Sequence, residues 1–260
     1  MGSKELRMTQ INLHHAKLAS DILDKTFRQE NISIALIQEP LAHKSKIRGI
    51  TSGELIYDSC TKKPRSAILI NKDIHFTTLS QFITKDLVAI ILTLNGSIKT
   101  IFASAYLPGD SLEISNELKE LLDFCKNEKL EIILGCDANA HHLIWGSTNT
   151  NARGEIVLDL ILTYNLEIVN QGCKPTFVVN NRSEVLDLTL ASSRIKEKIL
   201  NWEVSEKFSG SDHMSINFRI QFGVQTIEKY RNPRNTNWDT FNTVLELSLI
   251  HISEPTRPRL

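Results

Sequence analysis

Eight polar residues stand where apolar runs stop. Asn12 ends TQINL, Glu39 follows LIQ in LIQEP, and Tyr106 ends KTIFASAY. Asp137 and Asn139 follow EIILGC, Asp187 lies in VLDLTL, and Asp212 and His213 precede MSINFRI in GSDH. Strand ends of open α/β sheets are where sites form, because loops there are free of packing duty. Taken singly, each residue has a plain structural use. Asn12 can cap a following helix. Glu39 before Pro40 can be a solvated loop carboxylate, and Tyr106 a core residue with a wet hydroxyl. Asp137 and Asn139 can make an Asx turn. Asp212 can cap a turn, and His213 can be a surface histidine. None of these uses explains why acids and amides follow at least four separate apolar runs with a histidine among them.

One chemistry gives the set a purpose. A phosphodiester is anionic and repels nucleophiles, so its hydrolysis needs a hard cation, an activated water and a stabilised leaving oxygen. Mg²⁺ takes oxygen ligands and keeps several waters, so one or two carboxylates suffice, and Glu39 suits that role. An acid beside an amide, as in Asp137-Ala138-Asn139, can orient or deprotonate water while the amide fixes its geometry. A histidine paired with a carboxylate is favoured in its cationic form and can hydrogen-bond a phosphate oxygen as charge builds up.

The elements that must hold these residues are legible as alternating patterns. The runs 9–13, 32–38, 66–71, 87–94, 99–107, 131–136, 185–191 and 214–220 read as strands, several apolar throughout and therefore buried on both faces. Between them, Ala19, Ile22, Leu23 and Phe27 recur at helical spacing, as do Leu118, Leu121, Leu122 and Cys125, and Val157, Leu160, Ile161 and Tyr164. Asp110 and Glu113 read as a capping box opening the second helix. Interleaved strands and helices predict a layered α/β domain with helices outside a sheet core.

Composition sets outer limits. A 41% apolar content is globular, no apolar run is long enough to span a bilayer, and Met1–Arg7 lacks a signal-peptide core, so the expectation is an intracellular, soluble protein that is not secreted. Thirty basic residues balance thirty acidic ones, which argues against a non-specific nucleic-acid coat but not against a nuclease, whose metal site concentrates carboxylates. Cys60, Cys125, Cys136 and Cys173 are scattered without a C-x-x-C, against a structural zinc site or disulfide framework. His141 and His142 are adjacent and so poorly placed to share one ion; they read as loop packing or backbone contacts.

The ordered series QINL, IQEP, AYLP, GCDAN, EVLDLTL and GSDH resembles the exonuclease–endonuclease–phosphatase superfamily over residues 9–221. Each motif alone is common; six in this order are not. QEP, DANAHHLIWGS and KPTF with LDLTLAS resemble the endonuclease domains of non-LTR, LINE-type retrotransposons, and Tyr106 in AYLP resembles the AP-endonuclease side of the superfamily. The usual G-D-F-N is here Gly135-Cys136-Asp137-Ala138-Asn139, which keeps the D-x-N spacing.

The resemblance implies a four-layer α/β sandwich of two packed mixed β-sheets flanked by helices. It implies a Mg²⁺-dependent (Mn²⁺ also fits) DNA endonuclease that nicks one strand to leave a 3′-hydroxyl for reverse transcription. Glu39 then resembles the metal ligand, with Asn12 and Asp212 at the metal site. Asp137 resembles the acid that positions or deprotonates water, Asn139 the amide that steadies it, and Asp187 the carboxylate orienting His213. Tyr106 resembles a phosphate-contacting phenol. Thr176, Ser211 and Arg182 are candidate DNA contacts, Arg182 in a hairpin that in this family enters the minor groove. A stand-alone AP endonuclease, another phosphodiesterase of the superfamily and a catalytically dead DNA-targeting module stay open. The partners implied are double-stranded DNA and a downstream reverse transcriptase, with synthesis in the cytoplasm and action in the nucleus. The polar stretch 222–246 reads as a linker toward that enzyme. LSLIHISEPTR, in the tail 247–260, reads as the translation of a sequencing-library adapter and is set aside.

Overall fold

The computed structural model describes residues 4–222. The expected linker over 222–246 and tail over 247–260 lie outside the described residues, save Phe222, which ends the last strand. In chain order the elements are β1 (Lys4–Asn12), α1 (Lys17–Gln29), β2 (Ile34–Gln38), β3 (Ala42–His43), β4 (Lys46–Ile47), β5 (Glu54–Ile56) and β6 (Ser66–Ile70). There follow β7 (Thr77–Ile83), β8 (Leu87–Leu94), β9 (Ile98–Tyr106), α2 (Asn116–Glu128), β10 (Glu131–Asp137) and α3 (Ala152–Thr163). The last are β11 (Leu166–Ile168), β12 (Phe177–Val179), β13 (Arg182–Glu184), β14 (Asp187–Ser192), α4 (Ser193–Lys196), β15 (Ile199–Val204) and β16 (Ile216–Phe222). Two six-stranded sheets form, in the orders β15-β16-β1-β2-β6-β5 and β11-β14-β10-β9-β8-β7. Each is mixed: β1 runs parallel to β2, and β9 to β10, while the other pairs are antiparallel.

Three apolar cores separate four layers, the sandwich the sequence implies. Strand alternation explains them, since successive side chains point to opposite faces. On β2, Ile34 and Leu36 face the second sheet in a core with Met8, Ile68, Ile90, Phe102 and Ile133. Ala35 and Ile37 point the other way, onto Leu23 and Phe27 of α1. On the far side of the second sheet, Leu118, Leu121 and Leu122 of α2 and Val157, Leu160 and Ile161 of α3 cover Ile101, Ala103, Ile132 and Leu134.

One helix start differs from expectation. Asp110 and Glu113 do not open α2; Ser115 does, its hydroxyl accepting from Leu118 N at 3.3 Å. The preceding Pro108-Gly109 turns the chain, with Ser111 N donating to Pro108 O, so the capping role passes to the serine beyond the turn.

Toward the end of the sandwich where β1, β2 and β10 finish, the inter-sheet core becomes polar and largely bonded, with Gln38 Oε1 left without a partner. Gln10 on β1 donates to Leu188 O at 3.1 Å and accepts from Thr189 Oγ1 at 2.9 Å. Gln38 on β2 donates to Gly135 O at 3.1 Å and to Ser104 Oγ at 3.0 Å, and Ser104 Oγ in turn donates to Ile37 O at 2.8 Å. Amides that cross between layers fix how one sheet sits on the other, because buried polar groups left unpaired are costly. Gly135 is what lets them reach: a Cβ there would lie 2.7 Å from Gln10 Oε1 and 2.8 Å from Leu36 Cδ1. Gly135→Ala is therefore expected to cost about 1–3 kcal/mol, as overpacking of a full core does. Urea denaturation checks this; a wild-type midpoint would show that the sheets are not held by this contact.

Candidate active site

The pairing registers set the candidate residues in one row. In the second sheet, Asp137 ends β10 directly beside Tyr106, the end of β9, and directly opposite Asp187, the start of β14. In the first sheet, Asn12 ends β1 beside Gln38, and Glu39 is the next residue. Two carboxylates facing each other across an antiparallel pair repel, so the arrangement needs cationic compensation.

His213 supplies part of it. Its Nδ1 lies 2.8 Å from Asp187 Oδ2, and both residues are buried. Burial opposes the imidazolium, but the charge and hydrogen bond of Asp187 win and raise the pKa to about 9. Asp137, 2% exposed, is pushed up by burial first and by the charge of Asp187 second, with His213 and Asn12 opposing. Its Oδ2 accepts from Asn12 Nδ2 at 2.7 Å, and its Oδ1 from the Asn139 amide at 3.1 Å. The Asx turn is real and is also how the site residue is aimed. Asn139 adopts φ +46° and donates to Leu107 O at 3.1 Å.

Asn12 joins the sheets. The same Nδ2 approaches Glu39 Oε2 at 3.3 Å, while its Oδ1 accepts from His14 N at 2.7 Å. That backbone donor fixes which end of the amide faces the acids: the nitrogen. Helix capping is therefore not its role; α1 begins after Ala16 with no side-chain cap. His14 and His15, both at positive φ, were not apparent as site residues from the sequence. His15 Nε2 lies 3.4 Å from Glu39 Oε1, and His14 Nδ1 2.9 Å from Asp212 Oδ2. Burial alone would raise Glu39, yet hydrogen bonding and charge from His15, then Asn12 and His14, hold it below the ordinary carboxylate range.

Arg65 is a further residue that sequence reasoning missed. Its guanidinium stacks 4.6 Å from the centre of the Tyr106 ring and forks onto Asp86 at 2.5 and 2.6 Å, which fixes the phenol. Burial, then the charges of Glu39 and Asp137, push Tyr106 up to about 12, so it stays a neutral hydrogen-bond donor.

The comparisons with known proteins agree with this fold. Residues 100–217 match the family model described as "Endonuclease-reverse transcriptase". The endonuclease domain of TRAS1, a telomere-specific non-LTR retrotransposon, is 26% identical, with 84% of this chain and 98% of that one covered at a TM-score of 0.70. The fold is that of the exonuclease–endonuclease–phosphatase superfamily. More distant structures share the fold. An AP endonuclease from Leishmania major is 13% identical over 85% of this chain and 89% of that one, TM-score 0.67. A 3′-5′ exonuclease from Neisseria meningitidis is 13% identical over 84% of this chain and all of that one, TM-score 0.60. No curated protein matches the chain. The chain is a nuclease that hydrolyses phosphodiester bonds.

Such endonucleases work with a divalent metal, and the residues here fit one. Ligand atoms of Asp137, Asp187 and His213 lie within 4.8 Å of one another, and Asp187 Oδ1 is buried with no hydrogen-bond partner. Glu39 adds an ionised carboxylate next to them. Hard oxygen donors of this kind suit Mg²⁺ or Mn²⁺. Asp212 stands a step outward, half-buried and paired with His14.

Two expected DNA contacts also have bonds within the fold. Thr176 is fully buried; its hydroxyl accepts from Leu186 N and Asp187 N, both at 3.0 Å. It sets the start of β14 and does not face a phosphate. Ser211 Oγ donates to Asn12 O at 2.8 Å and ties the loop before His213 to β1. Arg182 is exposed on the β12–β13 hairpin. His141 reaches that hairpin, while His142 packs on Trp145 at 5.1 Å.

The Asp187–His213 pair predicts a titration. A histidine pKa raised by folding gives stability that is complete below its unfolded value of 6.5 and is lost as pH rises through about 9. In Asp187→Asn burial acts unopposed by that charge, so the His213 imidazole should titrate well below its wild-type value. Imidazole NMR in EDTA checks this; an unmoved resonance would show that Asp187 is not the cause.

Proposed function

We propose that the chain is a Mg²⁺-dependent endonuclease that nicks one strand of double-stranded DNA. It leaves a 3′-hydroxyl from which a reverse transcriptase encoded downstream copies RNA at the target, and it acts in the nucleus. The observation that carries the reading is the Asn12 amide shared between Glu39 and Asp137, which brings a metal-binding acid of one sheet against the water-binding acid of the other. The 26% likeness to a retrotransposon endonuclease supports the retroelement setting.

Glu39, held by Asn12 and His15, is the metal ligand, and Asp212 borders it. The cation, when bound, neutralises charge on the phosphate and on the leaving oxygen. Asp137 takes the proton of the attacking water, which its environment favours by raising its basicity, and Asn139 steadies the loop that aims it. His213, cationic beside Asp187, donates from Nε2 to a non-bridging phosphate oxygen, and so strengthens as negative charge accumulates there. Tyr106 donates to the same phosphate group from a phenol that stays protonated. Arg182 follows the DNA groove beyond the cleft.

The full chain incubated with supercoiled plasmid and Mg²⁺ is expected to give open circles whose nicks a DNA polymerase extends without end repair, and none in EDTA. His213→Ala should slow nicking by about 10²–10³-fold, the scale of losing one donor to a developing oxyanion. Intact circles with either Mg²⁺ or Mn²⁺, or nicks that polymerase cannot extend, would contradict the reading.

A further inference from the structure

Leu143 and Ile144 stand side by side on a 3-10 turn, 66% and 59% exposed. The turn is firmly anchored. Trp145, the next residue, is buried in the core beneath α3. The His142 ring accepts from Ile144 N at 3.0 Å, and Thr150 Oγ1 accepts from Leu143 N at 3.3 Å. Gly146 closes the turn at φ +90°, where a Cβ would come within 2.9 Å of Cys173 Cα. Ser147 Oγ donates to Val185 O at 2.8 Å, and Thr148 N to Glu184 Oε2 at 3.1 Å, so the turn is tied to the end of the β12–β13 hairpin. Two large apolar side chains held outward on a braced turn forgo the burial that drives folding.

Their setting suggests what covers them. The Phe177 ring packs edge-on against His213 at 5.0 Å, and Arg182 lies over Phe177 at 5.5 Å from the ring centre. Arg182 Nη2 reaches His141 Nε2 at 3.2 Å, two residues before Leu143. Arg182 has no carboxylate partner within ion-pair distance among the described residues. A ridge thus runs from the candidate active site through an exposed guanidinium, stacked on Phe177 and bonded to His141, to the apolar pair. Two residues make far less than the roughly 800 Å² per partner of a stable protein interface. An apolar wedge beside an arginine is the equipment of proteins that enter the minor groove and part a base step.

We propose that Leu143 and Ile144 form a wedge that enters the minor groove of duplex DNA and unstacks a base step next to the phosphate held at His213. The proposal rests on the reading of the chain as a DNA endonuclease and adds a determinant of where it cuts, since flexible pyrimidine–purine steps open at least cost.

The test uses the full chain and a duplex carrying 2-aminopurine at a pyrimidine–purine step, in EDTA so that no hydrolysis intervenes. Wild type should bind and brighten the probe as the base unstacks. Leu143→Ser with Ile144→Ser should bind about tenfold more weakly and leave the probe dark. Leu143→Met with Ile144→Leu, which keeps the apolar volume, should behave as wild type, and unchanged thermal midpoints show that the fold is intact. Binding and brightening by the serine variant at wild-type strength would overturn the proposal. So would a wild type that never brightens the probe, or a serine variant altered only in self-association. A chain that brightens the duplex yet never nicks plasmid with metal would instead sink the nuclease reading and leave the wedge standing.

Discussion

The site exists only because one amide reaches between two sheets. Glu39 belongs to the first sheet and Asp137, Asp187 and Tyr106 to the second. Asn12 Nδ2, bonded to Glu39 and Asp137, is the direct link. Its orientation is set from behind by the His14 amide. A sideways slip of one sheet over the other would carry Glu39 away from Asp137 and break the contacts that Asn12 makes to both. The crossings made by Gln10 and Gln38 therefore hold the registry on which the distances at the cleft depend.

Electrostatics explains why so many cationic or donating groups crowd this end. Three buried or half-buried acids within one cleft would repel each other strongly in a medium of low effective dielectric. His213 answers Asp187, His15 answers Glu39, and Asn12 shares itself between Glu39 and Asp137. What is left over is the unpartnered Asp187 Oδ1 and a carboxylate at Glu39 kept ionised, a surplus of negative oxygen that a divalent cation and its waters would satisfy. The same surplus explains how a chain of zero net charge can still act on a polyanion.

Much of this was legible in the sequence. Central strands such as 34–38 and 66–70 are apolar throughout because both faces are buried, and that pattern needs no partner to be recognised. Edge strands were missed for the opposite reason: β7, TTLSQFI, is largely exposed and reads as polar loop. The short hairpin β12–β13 is largely exposed too, and only the family resemblance pointed to it. Asn12, Glu39, Tyr106, Asp137, Asn139, Asp187 and His213 fall at strand ends as their spacing suggests. Thr176 did not follow suit, since a hydroxyl serves a backbone amide as readily as a phosphate, and only burial tells which. Arg65 and His15 were invisible because their roles depend on loops brought together from distant parts of the chain.

The central claim is that the cation site is built on Glu39, with Asp187 kept for His213. Anomalous diffraction from crystals soaked in Mn²⁺ tests it most directly. The account predicts a peak within about 2.0–2.2 Å of a Glu39 carboxylate oxygen, the distance hard octahedral ions of this class adopt, with the Asp187–His213 hydrogen bond intact. A peak with no Glu39 oxygen around it, or a His213 ring displaced from Asp187 by the ion, would contradict it.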